Sequence, residues 1–131
     1  QEYCDFGHGT GHGVGSYLSV HEGPQGISPH SRVPLMPGMI LSNEPGVYVA
    51  GEFGIRIENV VLVVNTGAEQ YAFETLTLVP YEPKLIDVSL LDAGELDWLN
   101  TYHQHLRSVL MPDLNEVEQA WLRQKTAVLE K

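Results

Sequence analysis

From Gly7 to Gly15 every second residue is glycine, and the positions between carry His8, Thr10, His12 and Val14. A glycine inside a helix costs about 1 kcal/mol against alanine, so this run does not sustain a helix, and His8 and His12 are not an i, i+4 pair on a helical face. The stretch is extended or looped. In an extended chain alternate side chains share a face, which gathers His8, Thr10, His12 and Val14 on one side and leaves bare backbone on the other. Another segment can approach that bare side closely.

The polar side needs partners, and two carboxylates further on are placed to supply them. Asn43-Glu44-Pro45-Gly46 follows the apolar run Met39-Ile40-Leu41, and Ile55-Arg56-Ile57-Glu58-Asn59 opens the longest β-branched run, ending at Val64. Glutamate is almost never fully buried unless it is paired or coordinates a metal. A period of two sets Arg56 and Glu58 on one face, so a plain ion pair between them is one reading of Glu58. Pro45 holds Glu44 in the extended region and gives its side chain a fixed exit direction. His12 with Glu44 and Glu58 makes the other reading, a nitrogen and oxygen ligand set without thiolate. Such a set suits manganese, iron, cobalt or zinc in a hydrolytic site better than a structural zinc site.

Several spaced segments resemble the catalytic domain of the Xaa-Pro aminopeptidases, in the long, eukaryotic-type aminopeptidase P branch of the pita-bread metallopeptidases. They are Asp5-Phe6-Gly7-His8-Gly9-Thr10-Gly11-His12-Gly13-Val14-Gly15, Val20-His21-Glu22-Gly23-Pro24, Pro37-Gly38-Met39, Asn43-Glu44-Pro45-Gly46, Phe53-Gly54-Ile55-Arg56-Ile57-Glu58-Asn59-Val60 and Leu76-Thr77-Leu78-Val79-Pro80. Their order is that of the family, and the resemblance runs on to the C-terminal helices. It implies an α+β fold, the C-terminal half of the pita-bread fold, with an antiparallel β-sheet followed by helices. It makes His12 a metal ligand, Glu44 a ligand to the same metal and Glu58 a carboxylate bridging two metals. His8 becomes a wall of the pocket for the substrate proline, His21 a proton-handling group beside the scissile bond, and Arg56 the residue behind the ligands. Two divalent metal ions are implied, manganese first and zinc, cobalt or iron as alternatives, with peptides carrying an N-terminal Xaa-Pro as substrates.

One departure limits what the chain can do alone. The family completes its two-metal site with two aspartates upstream of the histidine motif, whereas Asp5, Asp87, Asp92, Asp97 and Asp113 all lie outside that sequence context. The expectation is therefore a C-terminal part of a longer enzyme, inactive by itself. The alternatives are a non-catalytic pita-bread module that binds peptides or dimerises, and a prolidase-type dipeptidase.

A chain of 131 residues with 43% hydrophobic content is long enough for one core and short for two comfortable domains. A formal net charge of -10 disfavours nucleic acid and anionic membrane surfaces as partners. The single cysteine, Cys4, allows no internal disulfide, consistent with a reducing compartment and a cytoplasmic parent enzyme. No apolar run reaches membrane-spanning length. The glycines never take the G-x-G-x-x-G spacing and no Walker lysine is present, His21-Glu22 lacks the second histidine of H-E-x-x-H, and Ser16 and Ser19 lack nucleophile-elbow glycines.

The predicted organisation is a catalytic portion over 1–87 and a helical extension over 88–131 that packs on it or dimerises. Strands are expected at 39–43, 47–50, 54–64, 71–74 and 75–81, with a turn at Asn65-Thr66-Gly67. Asp92-Ala93-Gly94-Glu95 reads as a capping box before a helix striped by Leu96, Leu99, Tyr102, Leu106, Val109 and Leu110. Pro112 ends it, and Asp113 with Glu116 opens a second helix with Leu114, Val117, Trp121 and Val128 on one stripe. His103 and His105 have no acidic companion at ligand spacing and are expected as core or surface residues. In the resembled branch a tail of this kind is a dimerisation element, which implies a homodimer.

Overall fold

The bare side of the glycine run is where neighbouring segments close in. In the computed structural model, which describes residues 5–15, 17 and 19–131, strand β1 (Gly11–His12) pairs antiparallel with β2 (Gly26–Ile27). Beyond β1, Gly13 bridges to Leu41 in β3 (Ile40–Asn43). A Cβ at Gly11 would overlap the Ser42 carbonyl oxygen and stand 2.9 Å from its carbon. One at Gly13 would collide with the Glu22 carbonyl, and one at Gly15 with the Glu22 side chain. Around Gly7 there is open space and around Gly9 only ordinary contact, so the steric demand for glycine falls on the second half of the run. Cys4 and Ser16 lie outside the described residues.

Three strands form the main sheet in the order β3, β6 (Asn59–Gly67), β7 (Gln70–Thr75), all neighbours antiparallel. Leu41, Val61 and Val63 are buried at its centre, with Ile27, Leu35 and Met39 packed against them. A separate hairpin joins β4 (Gly46–Val49) to β5 (Phe53–Arg56), and its register continues that of β3 with β6. Asn43 lies opposite Asn59 and Gly46 opposite Arg56, so Glu44 and Pro45, between them, stand opposite Glu58 and Ile57.

That interruption corrects the single strand expected over 54–64. Ile57 donates to the Pro45 carbonyl at 3.3 Å, but proline has no N–H to return, and regular pairing stops for two residues. Of the strands expected at 71–74 and 75–81 only the first forms, as β7, which ends at Thr75, and 76–81 carries no strand. Past its end the Thr77 hydroxyl accepts from Val60 N at 2.7 Å, so a side chain takes the place of the next ladder bond. The turn between β6 and β7 falls at Ala68 and Glu69, both left-handed at φ 49° and 62°, rather than at Asn65-Thr66-Gly67.

The chain divides into two compact units at Thr77/Leu78, ten residues before the boundary expected from sequence. Segment 78–87 belongs with the helices because Leu78 and Tyr81 pack on their core, and Tyr102 Oη donates to Val79 O at 2.8 Å. Helix α1 (Ala93–Leu110) starts with the expected capping box, Asp92 and Glu95 each bonding the other's main-chain N–H, and buries Leu99, Tyr102, His103 and Leu106. His105 is exposed.

Helix α2 (Glu116–Lys125) presents a different face from the one expected. Val117 and Val128 are largely exposed, Trp121 is half exposed, and Leu122 is buried against Tyr102 and Leu106. The cap is Asn115 with Glu118, not Asp113 with Glu116. Leu114 does pack on that core, but the buried Leu122 stands about 100° round the helix from Trp121 at 3.6 residues per turn. No helix among the described residues is long and apolar enough to cross a membrane.

Candidate active site

Five of the six singled-out residues, His8, His12, His21, Glu44 and Arg56, line one open cavity of about 420 Å³ with Gly9 and Gly11. The size suits a small ligand or a peptide end. Its position follows from the strands: β1 carries His12 across the edge of β3, whose end delivers Glu44, while Arg56 ends β5 in the register that sets Glu44 opposite Glu58.

His12 Nδ1 lies 2.9 Å from the Gly13 carbonyl, which can only accept, so Nδ1 carries a proton. Nε2 then faces Glu44 Oε1 at 3.2 Å, where it either holds a second proton or gives its lone pair to a cation. Anchoring one ring nitrogen on a backbone carbonyl is the usual way a ligating imidazole is oriented. The His21 ring stands beside His12, centroids 4.2 Å apart. Glu44 is mostly buried, and its main-chain N–H donates to Thr10 O at 2.7 Å.

Glu58 departs from the expected convergence. It does not line the cavity, and among the described residues no group of three histidine, cysteine, aspartate or glutamate side chains could hold a metal ion. Instead Arg56 Nε sits 3.8 Å from both Glu44 Oε2 and Glu58 Oε2. Like charges directly across an antiparallel pair repel, and the guanidinium between them relieves this. A hydrogen bond to Tyr48 leads the influences that raise Arg56 above its ordinary value, with the two carboxylates adding to it.

Two residues of the site were not singled out from sequence. Tyr48 Oη is 2.7 Å from His8 Nε2, with the rings at 71°, which ties His8 to the β4–β5 hairpin. Its ring lies over Gly54, directly opposite, and over Gly46: a Cβ at Gly54 would come within 2.8 Å of Cδ1. An aromatic flanked by glycine two residues earlier and facing glycine across a predicted hairpin was the available signal. Ser42 is buried on β3, accepts from His12 N at 3.0 Å and donates to Glu44 Oε1 at 2.9 Å. Its signal was a hydroxyl inside an apolar run, two residues before Glu44 and therefore on the same face.

Residues 1–65 match the model of metallopeptidase family M24, and residues 69–129 match the model of the C-terminal region of peptidase_M24. The chain belongs to metallopeptidase family M24. Aminopeptidase P1 of Arabidopsis thaliana is 49% identical over 93% of this chain and 20% of its own length. Xaa-Pro aminopeptidase 2 of Sus scrofa is 45% identical over 95% of this chain and 20% of its own. This M24 chain thus spans about one fifth of the length of the curated relatives it matches. An X-prolyl aminopeptidase from Caenorhabditis elegans, described as a cytosolic enzyme with a di-nuclear active site, superimposes with a TM-score of 0.84 and 38% identity. That match covers 95% of this chain and 22% of the other. The α+β fold, the C-terminal part of the pita-bread fold, is the one expected from sequence.

Proposed function

We propose that this chain is the C-terminal part of a dinuclear-metal Xaa-Pro aminopeptidase, which removes the first residue from peptides with proline second. The observation that carries the reading is the His12 Nε2 to Glu44 Oε1 approach at 3.2 Å in a cavity shared with His8, His21 and Arg56. The donors fit a hard or borderline cation in part: an imidazole with its far nitrogen anchored, and two carboxylates facing each other in register. His12, Glu44 and Glu58 would be the ligands, Glu58 turning from Arg56 toward the cavity. When bound, two divalent ions supply a nucleophilic water near neutral pH and polarise the carbonyl before proline. Manganese is the first choice of metal, with zinc, cobalt and iron next.

The chain's own groups do the positioning. His8, held by Tyr48, forms a wall for the proline ring, and His21 donates to the oxygen on which negative charge develops. Ser42 engages Glu44 Oε1, which leaves Oε2 to carry a proton to the proline nitrogen. That nitrogen is tertiary in the peptide and leaves only once protonated. The parent enzyme is cytoplasmic and homodimeric in this reading, the helical unit contributing to the dimer.

Calorimetry with manganese on the chain tests the ligand set. Binding weakened at least tenfold by His12→Ala supports it. The Arg56–Glu58 pair favours a second reading, a peptide-binding or dimerising module without metal, under which His12→Ala changes nothing. By itself the chain is expected to leave Xaa-Pro peptides intact. Cleavage by the manganese-loaded chain, abolished in Glu58→Ala, would overturn the expectation that further ligands are needed.

A further inference from the structure

Ser42 is a small polar residue in a strand whose neighbour Leu41 is fully buried, and is itself only 1% exposed. A hydroxyl has one proton and two lone pairs. One lone pair takes the His12 main-chain N–H at 3.0 Å, and the proton goes to Glu44 Oε1 at 2.9 Å, a charge-assisted bond. With the imidazole fixed through Nδ1 on Gly13 O, and Glu44 fixed at its own N–H by Thr10 O, a single side chain links the two groups that face each other. Gly11 packs on the Ser42 carbonyl, so β1 and β3 meet closely where the hydroxyl spans them.

We propose that Ser42 is a positioning residue that holds the main chain bearing His12 and the carboxylate of Glu44 as one unit, setting the separation of imidazole and carboxylate for a shared divalent cation. This rests on the reading of those two residues as metal ligands and deepens it. Ser42 does not line the cavity. It acts through what it holds.

The test uses the 131-residue chain with Ser42→Ala, Ser42→Thr and His12→Ala, thermal unfolding of each variant establishing that it folds. Ser42→Ala should weaken manganese binding about 10–100-fold, as loss of a ligand's supporting hydrogen bond does, and Ser42→Thr should restore it. In the metal-free chain, Ser42→Ala should speed hydrogen exchange at the His12 amide and move the 13C carboxylate resonance of Glu44, while Ser42→Thr leaves both in place. Ser42→Cys, close in size and a weak donor, replaces the alanine variant if that one does not fold. An unmoved Glu44 resonance in Ser42→Ala, or a threonine variant as impaired as the alanine one, overturns the proposal. If wild type and His12→Ala take up manganese alike, the ligand reading fails by itself, and the metal-free readouts still decide for or against Ser42.

Discussion

Replacing Gly11 by alanine places one methyl group where two strands leave no room. The added Cβ would overlap the Ser42 carbonyl oxygen, stand 2.9 Å from its carbon and reach 3.3 Å from Ile27 Cδ1. Backbone cannot swing aside as a side chain can, so β1 must lift from β3. Three bonds depend on that contact: His12 N to Ser42 Oγ at 3.0 Å, Val14 N to Ile40 O at 3.1 Å and Glu44 N to Thr10 O at 2.7 Å. Two of them lost at about 1 kcal/mol each, with overpacking of about 1–3 kcal/mol, give a cost of roughly 3–5 kcal/mol. That is a large part of the stability of an ordinary domain. Gly7→Ala in the same run meets nothing within 4 Å and is the control, expected to be neutral or stabilising by up to about 1 kcal/mol. Urea unfolding followed by circular dichroism, with hydrogen exchange at the His12 amide, reads both variants. Gly11→Ala within about 0.5 kcal/mol of wild type, or Gly7→Ala equally damaging, would refute the steric account.

Burial, followed by the nearby Arg107 charge, holds His103 below its ordinary value of 6.5, so the fold keeps it neutral, Nε2 accepting from Tyr81 N at 3.1 Å. Its stabilisation is complete above pH 6.5 and is lost as pH falls toward the depressed folded-state value, because the unfolded chain binds the proton first. Thermal unfolding between pH 8 and pH 5 should therefore fall more steeply for wild type than for His103→Gln, and equal slopes would count against it. In α2, Leu122→Ala should cost about 2–5 kcal/mol, while Val117→Ala changes stability by less than about 0.5 kcal/mol. The reverse order in urea titrations followed by tryptophan fluorescence would mean that the helix faces the other way.

What could be read in advance follows the range of the forces involved. The α1 capping box and its Leu99, Tyr102 and Leu106 stripe are local patterns that the structure carries unchanged, and the glycine run, read as extended or looped, bends over its first half and is a strand at Gly11–His12. Glu44 stood out in the sequence because a carboxylate in an apolar strand is anomalous by itself, and the structure sets it in the cavity. Pro45 was read for what it does to Glu44, but its missing N–H acts across the ladder on Ile57, a pairing not visible along the chain. Where α2 begins turned on which of Asp113 and Asn115 caps it, both good capping residues, and its buried face turned on tertiary contacts of Leu122 with Tyr102 and Leu106. Ser42 and Tyr48 escaped notice because their roles come from contacts with His12 and His8, dozens of positions away.

The shared register of the two paired segments makes the Ala50-Gly51-Glu52 tip a ruler. Both halves of the ladder, from Ile40 with Leu62 to Val49 with Phe53, count from that one tip, and the two glutamates meet because the count is the same on each arm. Removing one residue there would slide one arm by a step and send its acidic group to the opposite surface of the sheet, separating the carboxylates without touching either. A loop that supplies no residue to the cavity thus carries information about the site in nothing but its length.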